Sequence, residues 1–143
     1  MTPSACSALA KASFTLYSLG FEDSEFWRAA TATPSCKSLR ERYAAAPAGW
    51  LQGSFCELAL LHAWHVAAAN TTAARVLYSM PESTAARLLA TPLWQLRRIA
   101  NDIPGVLMPR WPTNPRFWPD LIRFAAEGDA QRLETAQLLG AQL

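Results

Sequence analysis

Hydrophobic positions recur along most of this chain at three- and four-residue spacing, which predicts helices from end to end. Ala8, Leu9, Ala12, Phe14, Leu16, Tyr17 and Leu19 line one side of a helix over Ser4 to Leu19, with Gly20 placed to close it. Acidic residues and Ser24 ahead of Phe26 and Trp27 predict a short capped helix over Glu22 to Ala30, broken at Thr31 to Pro34. Ser35 caps a charged, exposed third segment that runs through Lys37, Arg40, Glu41 and Arg42 to Ala46. Pro47, Gly49 and Gly53 then mark a hinge, which sets an N-terminal extension, 1–46, apart from 54–143 within a single helical domain; Trp50 and Leu51 are expected to be buried beside it. From Ser54 to Asn70 the pattern loses its polar side: Phe55, Leu58, Leu60, Leu61, Trp64 and Val66 leave only Glu57 and two histidines polar. A chain of 143 residues is too short to enclose such a helix on every side, so an interface is expected there. A further helix restarts at Thr71 or Thr72 and carries Val76, Leu77 and Tyr78.

The segment from Pro81 to Trp111 organises the second half. Glu82 to Leu89 reads as a short helix, and Thr91 followed by Pro92 offers a capping hydroxyl and a proline that open another. Leu93, Leu96, Ile99 and Ala100 turn inward in that second helix, leaving Gln95, Arg97, Arg98 and Asn101 outside. Two short helices meeting at one corner suit a helix-turn-helix-like unit near 82–101, and arginine, glutamine and asparagine are the side chains that fork onto base edges and phosphates. Prolines 104, 109, 112, 115 and 119 make 102–119 a turn-rich strap in which Val106, Leu107 and Met108 form a strand or plug the core. Pro119 opens a helix containing Leu121, Ile122 and Phe124; Gly128 and Asp129 end it and cap a last one, with Leu133, Ala136, Leu138 and Leu139 on one side. The fold class expected is therefore all-α, a compact multi-helix domain.

Composition adds little until its distribution is considered. The formal charge is +2, but six arginines (87, 97, 98, 110, 116 and 123) face only Asp102 and Asp120 between residues 87 and 123, a local excess of four. Arginine rather than lysine favours bidentate contact with phosphate or carboxylate. Trp94 on the second helix of the corner, and Trp111 and Trp118 beside Arg110 and Arg116 in the strap, are candidate partner contacts, because tryptophan and arginine dominate interface hot spots. The same aromatics beside prolines also serve to pin a strap to a core. Cys6, Cys36 and Cys56 are odd in number and irregularly spaced, which argues for reduced thiols and a cytoplasmic setting. No export signal opens the chain, and no apolar window is long enough to span a bilayer, so no membrane partner is expected. His62 and His65 lie one turn apart with Cys56 six residues earlier, which supplies at most two metal ligands on one face; no metal and no cofactor are expected. The six glycines are isolated, so no phosphate-cradling loop exists, and Cys56 and His62 diverge on a continuous helix by more than about a hundred degrees. No enzyme is expected.

Residues 54–111 resemble FlhD, the flagellar transcriptional activator subunit. The likeness rests on Glu82, Ala85, Leu88, Ala90, Gln95, Arg98, Ala100, Arg110 and Trp111, which fall in register without a gap, and on the long apolar helix ahead of them. It implies an all-helical, self-associating subunit that activates transcription on DNA together with an FlhC-like protein. Within that expectation Gln95 and Asn101 read bases, while Arg97, Arg98 and Arg110 contact phosphate or partner. One position departs: Leu107 stands where FlhD carries a cysteine that bridges subunits, so self-association here would rest on packing. The competing expectation is a helical adaptor that touches only protein, such as a cytoplasmic component of a type III secretion apparatus.

Overall fold

Helices α1 (Pro3–Leu9), α2 (Ser24–Ala32), α3 (Trp50–Ala69), α4 (Thr71–Tyr78), α5 (Glu82–Ala90), α6 (Leu93–Asp102), α7 (Phe117–Glu127) and α8 (Ala130–Gly140) carry nearly all the regular structure in a computed structural model of the chain. The structure describes residues 1–32 and 50–140, with 50–52 as backbone alone. The charged helix expected over 35–46, and Pro47 and Gly49 of the expected hinge, lie outside the described residues. An all-α fold is what the hydrophobic spacing called for. Among the described residues the extended pieces amount to two residues each, Tyr17–Ser18 and Met108–Pro109. No described helix is long and apolar enough to cross a membrane.

The chain divides into two compact units. Unit 1 is Met1–Leu16 with Pro109–Leu143, and unit 2 is Tyr17–Met108. The boundaries of these units fall after residues 16 and 108.

In unit 2, α3 is the central helix and packs against α4, α5 and α6, while α2 packs against α5. Asn70 separates α3 from α4: its side chain accepts the Ala73 N–H at 2.9 Å, a cap that starts the second helix where the first ends. Asp23, not Ser24, caps α2, accepting the Phe26 N–H at 2.9 Å. The α2 aromatics then enter the core, and the Trp27 Nε1–H donates to the Gly20 carbonyl at 3.0 Å, so this large side chain is buried with its polar atom satisfied. Of the triplet expected as strand or plug, Val106 fills the core from a 3-10 turn over Pro104–Val106 and Met108 begins the short extended piece.

In unit 1, α7 and α8 form a hairpin through Gly128, whose φ of +72° ends α7 in the left-handed conformation glycine adopts at least cost. The Asp129 carboxylate accepts the Arg132 N–H at 3.0 Å and caps α8, as its position promised. Helix α1 packs on α7. It stops at Leu9, ten residues short of the expected end, because Ser13, Phe14, Thr15 and Tyr17 are all poor helix formers. Gly20 accordingly takes its positive φ of 61° at the turn into α2 and closes no helix. The buried side of α8 also differs from expectation: Leu133, Gln137 and Gly140 face inward, while Leu138 and Leu139 are exposed. Gly140 selects this register, since a Cβ there would lie 2.4 Å from Phe117 Cε2. Helix α7 begins at Phe117, two residues before Pro119, because the Asn114 side chain accepts the N–H groups of Arg116 and Phe117 at 3.0 Å each.

Candidate protein interface

The corner at Thr91 and Pro92 exists, with a different cap. The Thr91 hydroxyl donates backward to the Arg87 carbonyl at 2.7 Å and so finishes α5, while Pro92 occupies the N-cap position of α6 and offers no side-chain bond. Leu96, Ile99 and Ala100 are buried as the spacing requires, but Leu93 remains 43% exposed.

The residues assigned to DNA are mostly engaged within the chain. The Gln95 Nε2–H donates to the Thr31 carbonyl at 2.7 Å and the Ala30 carbonyl at 3.4 Å, so this side chain caps the end of α2 and is not presented outward. Arg97 lies 3.0 Å from the Glu57 carboxylate of α3. Asn101 donates back to the Arg97 carbonyl at 2.9 Å. Arg98 is half-buried, with its guanidinium 5.7 Å from the Trp94 ring. Arg110 departs furthest from expectation: it is buried in unit 1, its guanidinium over Phe14 at 5.8 Å and over Trp111 at 5.5 Å. Its carbonyl accepts the Trp118 Nε1–H and its N–H donates to Leu16. A cation lodged between two rings beneath the surface cannot also meet a phosphate. Trp111 and Trp118, half-buried and stacked edge-on around Phe117, likewise pin the strap to its core; Arg116 alone of that group is exposed.

The apolar side chains that α6 leaves exposed are Leu93 and Trp94, on the same helix as exposed Arg97 and Asn101. The Glu57–Arg97 ion pair, with Gly53 beside Asn101, sets α3 and α6 antiparallel, so that Leu61 lies level with Leu93. Cys56, Ala59, Leu60, Ala63 and Ala67 form the buried side of α3. At about 100° per residue, Leu58 and Leu61 fall on the opposite side of α3. Phe55 of α3 turns toward Tyr17, ring centroids 5.5 Å apart, whereas Leu58 is 65% exposed and Trp94 64%, with Leu93 beside Trp94. Sequence reading located this in α3, where the apolar pattern has no polar side, but missed Leu93, which its spacing assigned to the core.

The far flank of α3 carries a polar pair. The Tyr78 hydroxyl is buried and hydrogen-bonded to His62 Nδ1, with Tyr17 3.5 Å away. Burial, then Tyr17, pushes the Tyr78 hydroxyl well above the usual tyrosine range. Burial also pushes the Cys56 thiol up to about 12. That keeps it protonated and unreactive at neutral pH. Among the described residues no three His, Cys, Asp or Glu side chains converge on a possible metal position.

Comparison with known proteins adds no relative: no family model matches the chain, and no curated protein or solved structure does.

Proposed function

We propose that this chain is a helical protein-binding subunit that holds a partner polypeptide on the apolar surface of α3 and α6. In the form its likeness to FlhD implies, the partner is an FlhC-like chain, and the assembly, not this subunit alone, reaches DNA and activates transcription. The observation that carries the reading is the pair Leu58 and Trp94, each about two thirds exposed on adjacent helices. Large apolar side chains gathered on neighbouring elements mark partner surfaces, and tryptophan is a preferred anchor there. The internal engagement of Gln95, Arg97 and Arg110 favours contact with protein over direct reading of bases. The same commitment supports the second reading, an adaptor that touches only protein.

The test uses the full chain and a Leu58→Asp, Trp94→Ser double variant, each purified from the native host and sized by light scattering. Both side chains are exposed, so thermal unfolding is expected to change little. The wild type is expected to retain a stoichiometric helical partner that the variant loses. Retention by the variant would place the partner elsewhere. Binding of DNA by the wild-type complex separates the activator from the adaptor.

A further inference from the structure

Unit 1 contains a cleft of about 320 Å³ lined by residues of α1, α7 and α8 and the turns beside them. Phe124, Ala125 and Leu133 give it an apolar floor. Lys11, Glu134 and Gln137 are its polar lining. Glu134 and Gln137 are three residues apart on α8, hence on one side of it, whereas Lys11 comes from the segment after α1. Among the described residues neither the Lys11 ammonium nor the Glu134 carboxylate makes an ion pair. Gln137 is buried, with its Nε2–H donating to the Leu9 carbonyl at 3.5 Å, which leaves the amide oxygen as an acceptor.

We infer that this cleft binds a small zwitterion with an apolar body, the chemistry of a free hydrophobic α-amino acid. The volume lies at the small end of ligand sites and suits one residue-sized molecule. The ligand carboxylate goes to Lys11, its ammonium to Glu134 and the Gln137 amide oxygen, and its side chain to Phe124, Ala125 and Leu133. A ligand with one charge would meet one pole of the lining and leave the other without a partner, which favours a zwitterion over plain acids and plain amines alike.

The experiment titrates the full chain with four probes, L-phenylalanine, 3-phenylpropionate, phenethylamine and glycine, by calorimetry and ligand-observed NMR. L-Phenylalanine is expected to bind about ten-fold or more tightly than any of the other three, the scale of one charge-assisted contact. Lys11→Met should reduce phenylalanine binding to the level of phenethylamine, and Glu134→Gln to that of 3-phenylpropionate. Ala130→Trp, a replacement at the exposed first residue of α8 on the cleft, should abolish binding of every probe. Circular dichroism confirms that each variant keeps its helices. Equal affinity for phenylalanine and either half-ligand overturns the assignment. So does binding indifferent to Lys11 and Glu134, or no binding of phenylalanine at millimolar concentration.

Discussion

A side chain's identity suggests a chemistry, and its neighbours decide whether that chemistry is available. Gln95 has the donor and acceptor pair that suits adenine, but its amide nitrogen terminates α2 on the carbonyls of Ala30 and Thr31. Arg110 has the fork that suits phosphate, but Phe14 and Trp111 enclose it. Cys56 is the converse case, a reactive group made inert by its surroundings. It is fully buried, and desolvation raises its folded pKa from 9.0 to about 12. A pKa higher in the folded state than in the unfolded one gives stability that is complete below the unfolded value. That stability is lost as pH rises toward the folded value. Chemical denaturation is therefore expected to show stability falling between about pH 9 and 12, by about 1.4 kcal/mol per pH unit from this thiol. Cys56→Ala should lessen that slope while Tyr78, raised in the same sense, retains its own share. An unchanged slope in the variant would mean that the thiol ionises freely in the folded protein.

At the scale of elements, two glycines in one hairpin separate two ways in which a residue can fix a helix. Gly128 stands at φ +72° with nothing within 4 Å of the point a Cβ would occupy, so Gly128→Ala meets no neighbour and costs only backbone strain, about 1 kcal/mol. Gly140 has no such φ, yet a Cβ there would meet Phe117 at 2.4 Å, and Gly140→Ala must displace a buried ring, at about 1–3 kcal/mol. Urea midpoints of the two variants should fall in that order, and a larger loss at Gly128 would contradict it. The same contrast shows how far sequence could lead. The helix start at Thr71, the cap at Asp129, and the corner at Thr91 and Pro92 were legible because caps and prolines act over one turn, although the Asn70 cap itself was not read. The length of α1 and the inward side of α8 were not, because Gly140 packs against Phe117, two elements' length away in sequence, and against Phe14, more than a hundred residues away. For the interface, the all-round apolar run of α3 was readable. The engagement of Gln95 by α2 depends on a partner more than sixty residues away, which no local pattern announces.

For the whole molecule the question is whether its basic character is available to a nucleic acid. The formal charge is only +2, and the arginine-rich stretch that concentrates it is largely spent within the fold. Arg97 and Arg123 rest on Glu57 and Asp120, and Arg110 is buried. Non-specific affinity for DNA arises from the counterions that phosphate-contacting cations release, so it scales with the cations a protein can present together. The isolated chain is therefore expected to bind duplex DNA weakly, with a logarithmic salt slope of magnitude about 2 or less by fluorescence anisotropy. An activator working as a complex should give a steeper slope only once its partner is bound, because the partner brings the missing cations. In that case Arg97→Ala would change the slope of the isolated chain little, since removing it also frees Glu57. A steep slope for the chain alone, reduced by Arg97→Ala and Arg98→Ala, would return DNA contact to α6 and displace the protein-binding reading.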